Sequence, residues 1–381
     1  PAFYLLLRER LDRPVARGFL LVLTLASMFP YHLLLAYSEV FTALCVGAGV
    51  LLAIPPAWAI GSGRQAGWRE LVGWGLIAVG VVNTPATLVA LVAIAAARCL
   101  QTRRGRYLLA IAATFALIGA EAWLRRGSPF ASGYADNAGD RTVMPFSGLP
   151  GFSYPFLFGA LSILFSFGNG LIFYMPGLLL PVRRLASLSV SQRLTGENDV
   201  SLRSIATLWL LFVAGLVVGY AKWWAWYGGW FWGPRFFLFA CIPASLALAL
   251  WLRRPPRALW AKVAALGVLA LSWWVGVNGV LFDQQTLQVC QAHDYALEAL
   301  CYYTPDYSAL WRPLVIFYQV GPANFFSIEP TSTGQLSYAA FALLVCCWLA
   351  MPTLRALGRQ LWDWAGASLP QWRAIVTAWR F

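Results

Sequence analysis

Ten stretches of this chain are apolar enough to enter a bilayer, and the basic residues between them fall almost entirely on alternate sides. The stretches run at about 18–36, 40–58, 71–83, 85–98, 107–123, 155–181, 204–221, 236–252, 261–281 and 335–352. A soluble domain of 381 residues with 60% hydrophobic and 11% charged side chains could not hide so much apolar surface. The fold class expected is therefore an all-α polytopic membrane protein of about ten transmembrane helices.

Threading the chain through the membrane from a cytoplasmic start tests that reading, because short cytoplasmic loops collect Lys and Arg. Of 28 such residues, 22 fall in the N-terminal arm, the loops near 59–70, 98–107, 182–203 and 253–262, and the tail. Topology and contact with anionic lipid account for the net charge of +13, so a nucleic-acid partner is not called for. The threading places residues 1–352 in a transmembrane domain with external loops near 124–154, 222–235 and 282–334. It leaves 353–381 as an amphipathic tail on the cytoplasmic side of a bacterial membrane. The chain opens on Pro1, not Met, so further sequence is expected upstream.

No glycine-rich phosphate loop, HExxH or paired CxxC is present, and the histidines are His32 and His293 alone. An ATP-driven cytoplasmic motor, a structural zinc site and a bis-histidine haem are disfavoured. His32, beside Pro30, reads as a packed histidine. Glu39 and Glu121 lie near external span ends, where each either lines a cavity or reaches the interface.

The external segments carry the candidate chemistry. Arg125–Arg141 is rich in turn formers and offers Asp136 and Asp140 as candidate catalytic acids or bases, or else is a solvated loop whose charges pair. Within 153–184, Ser166-Phe167-Gly168-Asn169-Gly170 interrupts the apolar run, which points either to a half-helix at a cavity wall or to a kink between packed helices. Tyr220–Phe236 holds Trp223, Trp224, Trp226, Trp230 and Trp232, which an interfacial aromatic belt explains by default. The belt does not explain Lys222 and Arg235, cations on the disfavoured side that could clamp an anion, with Trp faces beside them to stack on a sugar or isoprenoid. Asn169 and Tyr174 join this substrate-binding set from the interrupted segment. Cys290 and Cys301 share one external loop and are either bridged or two free thiols.

These segments, namely YSEVF (Tyr37 to Phe41), RRGSPFASGY (Arg125 to Tyr134), SFGNGLIFYMP (Ser166 to Pro176), GGWFWGPRF (Gly228 to Phe236) and YYTPDYSAL (Tyr302 to Leu310), resemble bacterial membrane glycosyltransferases of the GT-C fold. The resemblance implies external loops forming a cavity, a polyprenyl-phosphate sugar as donor, and transfer to an acceptor on the external face. In that family the acid proposed as catalytic base usually follows the first span, which this chain lacks, so the acid is not carried over to any residue here. A divalent metal is compatible with such chemistry, although no ligand set is visible. The alternative is a non-catalytic subunit that packs on other membrane proteins through its Trp-rich rim and tail. A lipid-linked sugar transporter is a third class, which the sequence neither shows nor excludes.

The threading makes a direct demand. Cysteines introduced at Ser191 and Ser308 should label from opposite sides of the membrane, and labelling of both from one side would overturn it.

Overall fold

The computed structural model describes residues 2–56, 64–131, 141–181, 200–282, 285–328 and 331–378. Among them are helices, turns and loops, with no strand. Six helical stretches are long and apolar enough to cross a membrane: Pro85–Thr102, Gly105–Arg126, Leu202–Tyr220, Arg235–Arg253, Leu259–Phe282 and Thr333–Ala365. The chain is thus all-helical with six candidate spans among the described residues, and four of the ten expected stretches take other forms.

The first is near 18–36. After α1 (Ala2–Arg8), which turns Phe3 and Leu7 inward, that stretch is divided into α2 (Arg13–Leu25) and α3 (Phe29–Leu34). Ser27 makes the joint, donating to the Leu23 carbonyl at 2.6 Å and accepting from the Phe29 N–H at 3.1 Å. Pro30 in the first turn of α3 has no N–H with which to prolong α2. The second is α4 (Ser38–Ala53), apolar but only 16 residues long. The third, at 71–83, is the latter part of α5 (Arg64–Asn83), whose first turns carry Arg64, Arg69 and Glu70. Two of the six spans follow, as α6 (Leu88–Thr102) and α7 (Leu108–Arg126). The fourth, at 155–181, is α8 (Phe156–Phe165), a break, α9 (Leu171–Tyr174) and a 3-10 turn at Pro176–Leu179.

The remaining spans are α10 (Val200–Tyr220), α11 (Cys241–Arg253) with its 3-10 lead-in from Arg235, α12 (Leu259–Phe282) and α16 (Thr333–Ala378). Between the last two lie α13 (Gln285–Tyr295), α14 (Glu298–Tyr303) and α15 (Arg312–Ile328). The stretch Arg235–Arg253 is 89% buried inside the protein, as befits a helix that is hydrophobic all round and packs on α2, α10, α12 and α16. With 46 residues, α16 is about 69 Å long at 1.5 Å per residue, roughly twice the hydrocarbon thickness.

Polar contacts sort the loops into two groups. At one end Arg69 pairs with Glu9 at 2.6 Å, Arg254 with Asp12 at 2.6 Å and Arg106 with Glu70 at 2.5 Å. The buried Arg10 caps α4 there through the Leu51 and Ile54 carbonyls, the first at 2.7 Å. At the other end the Asn83 amide donates to the Ser38 carbonyl at 2.9 Å, the Tyr154 N–H to the Lys222 carbonyl at 3.0 Å, and the Gly168 N–H to the Tyr302 carbonyl at 2.9 Å. Segments that the charge pattern assigns to one side meet one another, and those assigned to the other side do likewise.

α4 and α5 approach closely because both are notched. A Cβ on Gly73 would sit 2.4 Å from the Ala53 amide nitrogen. Replacing Gly73 by Ala is expected to force the helices apart and cost about 1–3 kcal/mol, lowering the unfolding temperature in detergent. Gly267→Ala in α12, where an added Cβ meets nothing within 4 Å, is the matched control and should leave that temperature unchanged or raise it. Equal effects of the two would refute the notch.

Candidate functional site

The Trp-rich loop after α10 folds inward. Trp223, Trp224, Trp226 and Trp232 are all buried, so they form an internal aromatic wall in place of the expected interfacial belt. Partners inside the protein explain the difference. The Trp232 indole N–H donates to Asn278 Oδ1 of α12 at 2.8 Å, its ring meets Tyr174 edge-on at 5.4 Å, and Trp226 packs on Tyr302 and Tyr303. The bend that allows this passes through Gly233 at φ +70°, where a Cβ would press on Met28 and Tyr174.

The break at Ser166–Gly170 lies beneath this loop and is held by other loops. The Gly168 N–H reaches the Tyr302 carbonyl, the Ser308 hydroxyl donates to the Phe167 carbonyl at 2.9 Å, and the buried Asn169 amide donates to the Tyr227 carbonyl at 2.6 Å. A Cβ on Gly168 would sit 2.3 Å from the Cys301 carbonyl oxygen, which fixes this position as glycine. Asn169 and Tyr174 are thus interior residues that tie the unwound backbone to the aromatic wall.

Two carboxylates flank the loop. On one side Glu39, in the first turn of α4 and 9% exposed, faces Arg235 at 3.7 Å. The Arg235 Nε donates to the Gly228 carbonyl at 2.8 Å, and its guanidinium lies 4.0 Å from the Phe231 ring centroid, with Phe236 and Tyr37 at 5.1 and 5.9 Å. On the other side Glu298 is fully buried in α14 and accepts from the Trp230 indole N–H at 2.8 Å. Trp230 stacks on Tyr295 at 4.6 Å. Residues 230 and 231 therefore turn to different carboxylates, and the part-exposed rim has two parts: Tyr37, Phe231 and Phe236 around Arg235, and the Trp230–Tyr295 stack beside Glu298.

Cys290 and Cys301 are joined in a disulfide that ties α13 to α14. Closing so short a loop stabilises the folded hairpin by roughly 2–3 kcal/mol. Glu298 was not singled out in the sequence; its legible signal was the spacing 298, 301 and 302, which puts the acid, the bridged Cys301 and Tyr302 on one helix face. His32 is fully buried, with Tyr31 at 5.2 Å and Tyr37 at 5.4 Å. Glu121 pairs with Arg125 at 3.1 Å and Arg126 at 3.5 Å. Lys222 is exposed, and its backbone carbonyl accepts from the Tyr154 N–H. Asp136 and Asp140 lie outside the described residues. Among the described residues, no group of three or more His, Cys, Asp or Glu side chains is placed to hold a metal ion.

With this geometry in place, comparison with known proteins adds no kinship: no family model, curated protein or solved structure matches the chain. The rim's chemistry has to stand on its residues. A guanidinium with ring faces beside it suits an anion attached to a flat or apolar group, and the Gly228 carbonyl orients it with Glu39 nearby.

Burial first, and then the neighbouring Glu298 carboxylate, hold the Tyr227 hydroxyl well above its ordinary value. Tyr302 is raised in the same direction, chiefly by burial and then by Tyr227 and Glu298. For groups raised in the folded state, the stabilisation is complete below the unfolded value of about 10 and is lost as pH climbs toward the folded values. The unfolding temperature should accordingly hold steady to about pH 9.5 and fall above about 10, and Tyr227→Phe together with Tyr302→Phe should blunt that fall. An equally steep fall in the double variant would rule these tyrosines out as its source.

Proposed function

We propose that the protein is a membrane glycosyltransferase of GT-C type, transferring a sugar from a polyprenyl-phosphate donor to an acceptor on the external face of a bacterial cytoplasmic membrane, with its C-terminus cytoplasmic. The observation that carries this reading is Arg235. It is a cation with a side chain 21% exposed, oriented by Gly228 and Glu39 and ringed by Tyr37, Phe231 and Phe236, at the end of the protein where three long loops converge.

In the proposed reaction the acceptor hydroxyl oxygen bonds to the anomeric carbon. The bond from that carbon to the phosphate oxygen breaks, and its electron pair leaves with the lipid phosphate. A carboxylate takes the hydroxyl proton, with Asp136 and Asp140 as the candidates. Charge grows on the leaving phosphate as the bond lengthens, so Arg235 would stabilise the transition state more than the bound donor. Lys222 is the candidate second cation. Trp226, Trp230 and Trp232, with Asn169 and Tyr174, complete the proposed donor site, Trp230 at its open edge and the others as the wall behind.

The runner-up is an accessory subunit of a larger membrane complex, favoured by one observation. α16 runs on past the other helices with Trp362 80% and Trp364 72% exposed, an apolar surface suited to a partner helix.

Donor binding decides the role of the rim. Arg235→Ala is expected to weaken binding of a polyprenyl-phosphate ligand at least tenfold, about 1.4 kcal/mol, in calorimetry on detergent-solubilised protein. Arg235→Lys should fall short of full affinity because it keeps the charge and loses the planar fork. Unchanged affinity in Arg235→Ala, with the protein folded, would remove the site from the reading.

A further inference from the structure

Far from that rim, at the arginine-rich end, the outer surfaces of α5 and α7 enclose a cavity of about 490 Å³. Its walls are Leu71, Trp74 and Ala78 from α5 and Leu109, Ala110 and Ala113 from α7, with hardly a polar atom among them. Leu71 and Leu109 are 65% and 70% exposed, so the cavity is a groove open to the side. Small residues make its depth: a Cβ on Gly67 or Gly75 would meet nothing within 4 Å.

The mouth has the opposite character. Arg106 lies there with its side chain 48% exposed, paired with Glu70, which also accepts from the Tyr107 hydroxyl at 2.7 Å. Two guanidiniums lie near the Tyr107 ring, Arg106 at 5.3 Å and Arg98 at 5.5 Å from its centroid. Arg103 and Arg104 are exposed in the turn between α6 and α7. One cation, Arg106, thus pairs with the carboxylate at the end of an apolar slot between α5 and α7, and Arg98, Arg103 and Arg104 precede it in the same stretch of chain.

We propose that this groove is a binding site for one anionic phospholipid, its hydrocarbon chain along Leu71, Trp74 and Leu109 and its phosphate at Arg103, Arg104 and Arg106. Charge complementarity and size select this occupant. Basic pockets between transmembrane helices suit anionic headgroups, and the volume lies in the range of about 300–1,000 Å³ typical of small-molecule sites. A partner helix 10–12 Å across and long enough to cross the hydrocarbon would displace roughly 2,400–3,400 Å³, far more than the groove encloses. The site is separate from the proposed donor rim and independent of whether the protein is an enzyme.

Native mass spectrometry of the protein in neutral detergent, titrated with phosphatidylglycerol or phosphatidylcholine, tests it. The unaltered protein should retain phosphatidylglycerol at least tenfold better than phosphatidylcholine. Arg103→Gln with Arg104→Gln, both at exposed positions, should erase most of that preference. Ala113→Leu, which fills the groove, should reduce retention of both lipids, and an unchanged unfolding temperature would show that the variant is folded. Should Ala113→Leu misfold, the arginine pair decides alone. The proposal falls if the two lipids bind equally to the unaltered protein, if the arginine pair leaves the preference intact, if a folded Ala113→Leu binds normally, or if polyprenyl phosphate binds this groove in preference to phosphatidylglycerol.

Discussion

An unwound backbone buried in a protein must find hydrogen-bond partners there, and the half of this structure that holds the Trp-rich loop follows from how Ser166–Gly170 finds them. Most of the break is buried, and the N–H and C=O groups freed between α8 and α9 would each cost several kcal/mol if left alone there. Two segments hold the break, 298–310 through the Tyr302 carbonyl and the Ser308 hydroxyl, and 222–235 through the Asn169 bond to Tyr227. The break is therefore the anchor that draws 222–235 and 298–310 together. Once those segments are drawn in, the tryptophans between them have no route to the lipid interface and become the wall of the site.

The two carboxylates beside that wall are stabilised by different means. Glu39 is matched by a full charge, Arg235, at a distance loose enough for both to keep some solvent contact. Removing either partner would leave the other partly buried and uncompensated, a loss of about 3–5 kcal/mol for a fully buried pair and less here, where solvent still reaches them. Glu298 meets a neutral donor, the Trp230 indole, inside a shell of tyrosines. The disulfide holds α14 in place against the cost of that burial. The same loop thus carries a solvent-touching ion pair on one face and a sequestered acid on the other.

Hydropathy made six spans legible because long apolar helices announce themselves by length. It could not show that α2 ends at Leu25 or that 155–181 is three short pieces, since a run of apolar residues reads alike whether it crosses the bilayer or folds within the protein. The basic residues told which loops share an end, and the ion pairs Arg69–Glu9 and Arg254–Asp12 agree with that grouping. Composition reports amphipathic rings without their partners, so a belt is the default for tryptophans of which four are buried inside the protein. Asn278, which holds Trp232, lies 46 residues away in sequence. Glu298 was passed over for a similar reason: among loop residues an acid looks solvated until the helix face it shares with Cys301 is seen to point inward.

What remains is how a cation already paired with an acid could still receive an anion. A guanidinium carries five N–H donors in a fixed fork. Arg235 commits Nε to the Gly228 carbonyl, which fixes the plane of the fork, and turns one terminal nitrogen toward Glu39 at 3.7 Å, too long for a good hydrogen bond. Among the described residues the other terminal nitrogen has no hydrogen-bond partner, and the rings of Phe231, Phe236 and Tyr37 offer it only their faces. An incoming phosphate oxygen would therefore add to the existing contacts without displacing Glu39. Lysine at this position could not do the same, because a single ammonium has no second arm with which to hold Gly228 while it meets the ligand.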